Sequence, residues 1–240
     1  HVILRFDGVY MDSAVYLNRR KVKEWKYGYS TFDVDLTGQL KDGENELLVE
    51  VRFRSPNSRW YSGAGIYRNV RIKQSGNVYL PLDGSYAVIR EQDDTRWKLE
   101  ISTEVAGCSD RDYRCRYVLK GRDGERILGE TKVGRAENDS QPEGCCANTV
   151  GADAEADGMA ELTAFVERPL LWDVEEPNCY QLAVELLDGA GRILDADRMT
   201  VGFRTVEFTA DRGLFLNHRH LKLHGVCEHH DFGALGAAFH

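Results

Sequence analysis

Short apolar runs with a two-residue period dominate the first third of the chain. In STFDVDL, Phe32, Val34 and Leu36 fall on one face and Asp33 and Asp35 on the other, as a half-buried strand requires. Runs of this kind, rich in Val, Ile, Tyr and Phe and separated by DG, TG and KDGEN turns, occupy 2–6, 14–18, 31–36, 46–53 and 66–72. No segment of comparable length has the periodicity of an amphipathic helix, so the pattern predicts a mainly β protein.

A second series of β patterns starts near Asn77. The predicted strands cover 86–92, 97–105, 115–122, 159–167, 180–188 and 198–208. Their spacing and polar turns predict an antiparallel β-sandwich of immunoglobulin type. The acidic, Gly-rich stretch 134–158 is predicted to be a long surface loop within this sandwich.

A third segment follows Phe208 and indicates the opening of another domain. GLFLN (213–217) and LKLHGV (221–226) predict a hairpin whose second strand is apolar. The predicted organisation is therefore part of a first β domain over 1–75, a complete sandwich over 76–207, and the start of a third domain over 208–240. Because the chain begins with His1 rather than Met, we expect the natural N-terminus to lie elsewhere.

Charge, hydropathy and cysteine usage exclude several classes of function. The 240 residues carry a net charge of -8, which disfavours nucleic acid and anionic membrane surfaces as partners. No apolar run approaches the roughly 20 residues that span a bilayer. The six cysteines form no CxxC pair and no zinc-ligand pattern, which predicts free thiols in a reducing cytoplasm. The missing natural N-terminus leaves export open.

The stretch SPNSRWYSGAGIYRNVRI (55–72) is the first candidate for binding chemistry. Trp60 and Tyr61 offer flat apolar faces, Arg59 and Arg68 offer fixed donors, and glycines permit a tight backbone. Sugars present both C–H faces and hydroxyls, so the mixture suits carbohydrate. The structural alternative is that Trp60, Tyr61 and Tyr67 close the end of the sandwich while Arg68 bonds loop carbonyls.

The stretch LKLHGVCEHHDFGALG (221–236) is the second candidate, with His224, His229, His230, Glu228 and Asp231 in eight residues. A metal site is disfavoured because adjacent histidines on an extended chain point to opposite faces, and no HExxH spacing is present. A polar cluster after an apolar strand is typical of the active-site face of a (β/α)₈ barrel, with Leu221, Leu223 and Val226 as the buried strand. A solvated turn with fortuitous histidines remains the alternative.

In their order along the chain, these motifs resemble glycoside hydrolase family 2, the β-galactosidase, β-glucuronidase and β-mannosidase group. FDGVYMDSAVYLN, DGENELLVEV and RWYSGAGIYRNV resemble the family's N-terminal sugar-binding domain. PLLWDVEEPNCYQLAVEL is similar to its LW…P…Y motif in the immunoglobulin-like domain. GFRTVEF followed by GLFLNHRHLKLHGVCEHHD resembles the junction into the catalytic barrel.

The resemblance implies a partial jelly-roll β-sandwich, an immunoglobulin-like β-sandwich and the opening hairpin and first strand of a TIM barrel. It implies that the full-length protein is a retaining exo-β-glycosidase acting on terminal β-D-glycosides, with β-galactosides favoured. The family's acid/base and nucleophile glutamates lie on later barrel strands, and Glu228 is neither of them. This chain is therefore expected to contain no catalytic residue, to need no cofactor, to ligate no metal and to be inactive alone.

Six positions carry over from the family as candidate substrate contacts. His229 matches the histidine after the family's GVN-x motif and is expected to bond substrate hydroxyls, although Cys227 stands where the family more often has Asn. The same resemblance places His230 and Asp231 beside it, and it aligns Asn57, Ser58 and Arg59 with a first-domain loop that sends a polar residue into the active site. Many members have Asp in that loop, which this chain lacks.

The implied partner is a β-glycoside or oligosaccharide substrate, with no nucleic acid and no membrane. A homo-oligomer of the full-length enzyme is left open by the resemblance. A second hypothesis belongs to another class: a non-catalytic β-sandwich module that binds carbohydrate or a protein partner. This second hypothesis predicts a stable, soluble 240-residue product with measurable sugar affinity, whereas the unpaired strand edges of half a jelly roll favour aggregation. Turnover of an aryl β-glycoside by the 240-residue chain itself would contradict the first hypothesis.

Overall fold

The computed structural model describes residues 1–54, 63–108, 112–135 and 156–227. Over these residues it contains 19 β-strands and no helix. The chain divides into two compact units, one built on His1–Gln74 and the other on Ser75–Glu143 together with Ala154–His224. No helix in the described ranges is long and apolar enough to cross a membrane.

The first unit contains eight strands in three small antiparallel sheets. The strands are β1 (Val2–Phe6), β2 (Val9–Tyr10), β3 (Ser13–Leu17), β4 (Arg20–Trp25), β5 (Phe32–Asp35), β6 (Leu47–Val51), β7 (Gly65–Ile66) and β8 (Val70–Gln74). Their orders are β5-β1-β8, β4-β3-β6 and β2-β7. The predicted strand 66–72 is therefore two strands, separated by Tyr67–Asn69.

Alternation along β5 builds the core of the first unit as predicted. Phe32 and Val34 are buried, whereas Asp33 faces outward and pairs with Arg5 of β1 at 2.7 Å. The ring of Phe32 stacks on Phe6 with centroids 5.0 Å apart. These rings are buried together with aliphatic side chains such as Leu4 and Val15, and removal of this apolar surface from water favours folding of the unit.

The second unit is a sandwich of two four-stranded antiparallel sheets. Its strands are β9 (Ser85–Glu91), β10 (Arg96–Val105), β11 (Arg114–Gly121), β12 (Gly124–Lys132), β13 (Gly134–Arg135), β14 (Gly158–Glu167), β15 (Tyr180–Leu187) and β16 (Ile193–Val201). The sheet orders are β13-β14-β10-β9 and β12-β11-β15-β16. The prediction of a mainly β, sandwich-like chain is confirmed, and the immunoglobulin and jelly-roll types remain predictions.

One hydrophobic core joins the two sheets of the sandwich. The inward residues of β10, including Trp97 and Leu99, cluster with Tyr117 of β11 and Leu182 of β15. Tyr117 is fully buried, yet its hydroxyl donates to Thr103 Oγ1 at 3.2 Å, so the polar atom is satisfied inside the core.

The last described segment adds a small antiparallel sheet to the second unit. It consists of β17 (Val206–Thr209), β18 (Gly213–Leu216) and β19 (Arg219–Leu221). The hairpin turn at Asn217 attaches the sheet to the sandwich unit, since its Nδ2 donates to the carbonyl of Trp172 at 3.1 Å. The predicted strand 213–217 is thus confirmed.

The predicted strand 221–226 is wrong beyond Leu221. Residues 222–227 have no regular structure, and Leu223 and Val226 are 68% and 89% exposed rather than buried. A barrel strand is stabilised by parallel neighbours, and none of the described strands pairs with this stretch. The start of a TIM barrel at 208–240 stays a prediction.

Candidate functional site

The six candidate substrate contacts lie outside the described residues. Asn57, Ser58 and Arg59 belong to the segment 55–62, and His229, His230 and Asp231 belong to 228–240. Their roles therefore stay predictions. The structure does describe the chain on both sides of the first segment and the chain that leads into the second.

The chain leading into segment 55–62 is fixed to the turn after β2. The backbone N–H of Arg52 lies 3.2 Å from the carbonyl oxygen of Met11 and 3.3 Å from that of Asp12. The carboxylate of Asp12 accepts a hydrogen bond from Lys26 Nζ at 2.7 Å and lies 3.8 Å from the guanidinium of Arg54. The bond from Lys26, followed by the nearby arginine charges, lowers the pKa of Asp12, so this carboxylate is ionised at neutral pH.

The chain leaving segment 55–62 pairs with β2, next to the turn that holds Arg52. Gly65 pairs with Tyr10 and Ile66 with Val9 in the β2–β7 ladder. The Tyr67 hydroxyl then donates to the carbonyl of Gly28 at 2.9 Å. Both ends of the segment are therefore anchored on residues 8–12, through hydrogen bonds that do not involve the segment itself.

Four tyrosines from three parts of the first unit meet beside these anchors, and we call them the tyrosine cluster: Tyr10, Tyr27, Tyr29 and Tyr67. Tyr29 is at the centre, with ring centroids 5.1 Å from Tyr10, 5.9 Å from Tyr27 and 6.3 Å from Tyr67, all edge-to-face. Such contacts add about 0.5–1.5 kcal/mol each beyond area burial. Tyr67 is thus a packing residue, in agreement with the structural alternative, and the guanidinium of Arg68 lies over its ring at 5.1 Å from the centroid. The predicted bonds from Arg68 to loop carbonyls, and the packing of Trp60 and Tyr61, involve residues outside the described ranges and stay predictions.

Two glycines provide the space that the tyrosine cluster occupies. A Cβ on Gly28 would lie 2.4 Å from Cδ2 of Tyr10, and one on Gly8 would lie 2.8 Å from Cζ of Tyr67. Neither distance is compatible with a real carbon atom. The glycine of the DGVY motif is therefore required for packing against Tyr67, which the sequence pattern alone did not reveal.

The chain leading into the second candidate segment is exposed. His224 and Cys227 are both exposed on irregular backbone. Within the described ranges, no three His, Cys, Asp or Glu side chains come together in a way that could hold a metal ion. His224 therefore has no described partner for metal chemistry.

The PLLWDVEEPNCY motif has a structural role in the sandwich. Tyr180, at the start of β15, is buried, and its hydroxyl accepts from the backbone N–H of Leu170 at 2.8 Å and donates to Asp123 Oδ2 at 3.0 Å. Asn178 Nδ2 donates to the carbonyl of Leu171 at 3.0 Å. This geometry is similar to the tyrosine corner of immunoglobulin-like sandwiches, in which a tyrosine near a strand start bonds to backbone upstream.

Comparison with curated proteins shows relatives over nearly the whole chain. A β-galactosidase of Bacteroides ovatus is 36% identical over 239 residues, covering 98% of this chain and 26% of that protein. A putative β-glucuronidase of Formosa agariphila is 29% identical over 238 residues, covering 98% of this chain and 21% of that protein. The chain thus spans about a quarter of the length of these relatives.

Solved structures and a family model agree with this relationship. A glycosyl hydrolase family 2 member from Bacteroides cellulosilyticus superposes with a TM-score of 0.82 at 25% identity, over 98% of this chain and 30% of that one. A β-glycosidase from Bacteroides vulgatus superposes with a TM-score of 0.80 at 29% identity, over 99% of this chain and 28% of that one. The sequence model described as "Glycosyl hydrolases family 2" matches residues 84–204, half of the chain. This protein chain belongs to glycosyl hydrolases family 2.

Proposed function

We propose that the full-length protein carrying this chain is a retaining exo-β-glycosidase that hydrolyses terminal β-D-glycosides, with β-galactosides as its substrates. The observation that carries this proposal is the 36% identity, over 98% of the chain, to a β-galactosidase. The match of the family model to the sandwich supports the same reaction class.

The proposed reaction is a double displacement. One carboxylate attacks the anomeric carbon while a second carboxyl group protonates the departing oxygen, and water then releases the sugar with the second group acting as base. The two carboxyl groups are roughly 5–5.5 Å apart in retaining enzymes. In this proposal both lie in parts of the protein beyond this chain, so the chain alone has no turnover.

The contribution proposed for this chain is substrate binding from two segments. His229, oriented by His230 and Asp231, bonds sugar hydroxyls at the site where positive charge develops in the transition state. Asn57, Ser58 and Arg59 add polar contacts from the first unit. The anchoring of Arg52 and Tyr67 on residues 8–12 supports this role, because a contact loop with fixed ends loses less entropy on binding substrate.

The experiment that tests the proposal compares substrates on the full-length protein. It should hydrolyse 4-nitrophenyl β-D-galactoside, with a kcat/KM at least tenfold above that for the β-D-glucuronide, and the first sugar released should be the β-anomer by NMR. A higher kcat/KM for the glucuronide would overturn the galactoside assignment, for which the glucuronidase-type relatives provide the comparison. Release of the α-anomer would overturn the retaining mechanism.

A second measurement separates the contribution of this chain from that of the rest of the protein. His229→Ala in the full-length enzyme should lower kcat at least tenfold, because the bond it makes is strongest in the transition state. Turnover by the isolated 240-residue chain would contradict the assignment of both carboxyl groups to later parts of the protein.

The non-catalytic alternative is supported only by the all-β composition of the described units. It predicts a full-length protein that turns over none of the aryl β-glycosides yet retains affinity for sugars.

We further propose a cytoplasmic location, on the ground that Cys108, Cys115, Cys179 and Cys227 are free thiols. A homo-oligomer is part of the same proposal and is tested by sedimentation of the full-length protein.

A further inference from the structure

A groove crosses the outer face of the sheet β13-β14-β10-β9 in the second unit. Its volume is about 320 Å³, and its lining includes Tyr86, Val88, Glu100, Ser102, Glu161 and Thr163. These six side chains point away from the sandwich core because they alternate with its inward residues along β9, β10 and β14. The groove lies within the described residues and shares none with the candidate substrate contacts.

The register of the sheet explains the shape of the groove. Ser102 of the middle strand pairs with Tyr86 on one side and with Glu161 on the other. In the next outward row, Glu100 pairs with Val88 and Thr163. The short side chain of Ser102 on the middle strand therefore forms a floor between Tyr86 and Glu161, since paired side chains on one face are only about 4.5–5.5 Å apart.

The polar groups of the groove are mainly hydrogen-bond acceptors. Glu100 accepts from Lys98 Nζ at 2.7 Å and lies 3.6 Å from Arg90, so its charge is partly balanced. Glu161 has neither an ion pair nor a hydrogen bond with any described residue. The carboxylate oxygens are acceptors, so the surface suits a neutral ligand with many O–H donors.

Tyr86 provides an apolar platform at the edge of the groove. Its side chain is 67% exposed, and Val88 lies next to it on the same strand and face. The other exposed ring on this sheet face, Phe165, is covered by the guanidinium of Arg96 at 4.0 Å from its centroid. Tyr86 therefore remains open to stacking by a ligand ring in a way that Phe165 does not.

We propose that this groove is a binding site for a neutral oligosaccharide, with the C–H face of a pyranose ring on Tyr86. The sugar hydroxyls donate to the carboxylates of Glu100 and Glu161 and exchange hydrogen bonds with Ser102 and Thr163. The volume is at the lower end of the 300–1,000 Å³ of ligand sites, which fits one or two sugar rings. The site holds substrate chains near the enzyme and does no chemistry.

The choice of β-linked sugars as probes rests on the proposed function, whereas the groove itself does not. The experiment is affinity electrophoresis of the full-length protein in native gels that contain β-1,4-galactan, hydroxyethyl cellulose or the α-linked glucan pullulan. A galactose-configured iminosugar is added to block the active site, so that retardation reports other sites. Hydrolysis of 4-nitrophenyl β-D-galactoside without the iminosugar is measured in parallel.

Two variants remove the groove by opposite means. Tyr86→Ala deletes the platform, and Ser102→Phe fills the floor. Phe165→Ala is the matched control, because it removes an exposed aromatic side chain from the same sheet face without touching the groove. We expect the wild-type protein to be retarded by at least one β-linked polymer, the first two variants to bind at least fivefold more weakly, and the control to stay within twofold.

Three results would overturn the proposal: no retardation of the wild-type protein by any polymer, unchanged binding by both groove variants, or equal loss of binding by Phe165→Ala. All variants should keep the wild-type rate on the aryl galactoside. A wild-type protein that binds a polymer but does not hydrolyse the aryl galactoside would refute the proposed function, while the proposed binding site in the groove would still be supported. Retained activity without polymer binding would do the reverse.

Discussion

At the scale of single residues, Tyr180 shows how one hydroxyl stabilises a sandwich. It accepts from the Leu170 N–H and donates to Asp123, while its ring contacts Phe203 with centroids 5.1 Å apart. Tyr180→Phe keeps the ring and leaves a partly buried N–H without its partner, a loss of about 1–3 kcal/mol. Hydrogen exchange at the Leu170 amide of the full-length protein should therefore accelerate about tenfold or more.

The matched control for this prediction is Tyr86→Phe. Tyr86 is on the same sandwich, but its hydroxyl has no hydrogen-bond partner among the described residues. Exchange at Leu170 should be unchanged in this variant. Unchanged exchange in Tyr180→Phe as well would mean that the Leu170 amide is protected by something other than the tyrosine.

Cysteine reactivity offers a second prediction for single residues. Burial raises the pKa of the Cys115 thiol to about 12, and burial followed by the charge of Asp157 raises that of Cys108 to about 11. Because the thiolate is the nucleophile, a raised pKa slows alkylation at pH 8. Iodoacetamide should label the exposed Cys179 and Cys227 before Cys108, and Cys115 only after unfolding, as measured by peptide mass spectrometry.

The pH dependence of this labelling follows from the same shifts. A thiol whose folded pKa is raised favours the folded state below the unfolded pKa near 9, and this contribution is lost as the pH rises through the folded pKa. Between pH 8 and 10, labelling of Cys108 should rise about tenfold per pH unit, since the thiolate fraction does so below the pKa. Labelling of Cys115 as fast as Cys179 in the folded protein would contradict its burial.

At the scale of elements, two hairpins are built on the same turn. Asn18-Arg19 joins β3 to β4 and Asn217-His218 joins β18 to β19, and all four residues have positive φ between 48° and 70°. Positive φ at both central positions is the requirement of a type I′ hairpin turn, and asparagine adopts positive φ more readily than most residues. Each asparagine also bonds to a neighbouring segment, as Asn217 Oδ1 does to the Thr205 N–H at 3.1 Å.

Substitutions at Asn217 separate the two roles of this residue. Asn217→Gly keeps the backbone conformation but loses the side-chain bonds to the Thr205 N–H and the Trp172 carbonyl. Asn217→Ala loses these side-chain bonds and also disfavours the positive φ. The amides of β18 and β19 in the full-length protein should exchange fastest in Asn217→Ala, at an intermediate rate in Asn217→Gly and most slowly in the wild type. Equal rates in the two variants would show that the positive φ contributes nothing.

The strands that sequence patterning found and missed differ in one physical respect. Patterning located β5 and β10, whose alternate residues are buried, to within a residue or two. It missed β4 (RKVKEW) and β12 (GERILGETK), which are edge strands with mostly exposed or half-buried side chains and therefore weak periodicity. It merged 198–208 into one strand, whereas Phe203 turns into the core between β16 and β17.

For the candidate site, the sequence predicts which residues take part but not the contacts that surround them. The composition of 55–62 and 221–236 and the resemblance nominate its residues, because sugar-binding groups have a recognisable chemistry. Sequence periodicity does not reveal the contacts around them. Gly28 leaves space for Tyr10, Gly8 leaves space for Tyr67, and Tyr67 bonds to the Gly28 carbonyl, so these contacts join positions between 18 and 59 residues apart. Contacts of this range depend on the folded arrangement of three segments.

At the scale of the whole molecule, both units expose apolar side chains that a soluble domain usually buries. On edge strands of the first unit, Ile72 of β8 is 65% exposed and Leu48 of β6 is 59% exposed. Unpaired edges with apolar side chains promote association between chains. We therefore expect the isolated 240-residue chain to self-associate, and the exposed Leu223 and Val226 add to that tendency in the second half of the chain.

Charge placed on the apolar edge should reduce this association. Ile72→Lys adds a positive charge and removes apolar surface, whereas Gln74→Lys adds the same charge to an exposed polar position of the same strand. Sedimentation velocity of the isolated chain should show a smaller associated fraction for Ile72→Lys than for Gln74→Lys. Equal effects would mean that net charge, and not the apolar edge, controls association, because lysine on an edge strand acts both by repulsion and by removing a hydrophobic contact.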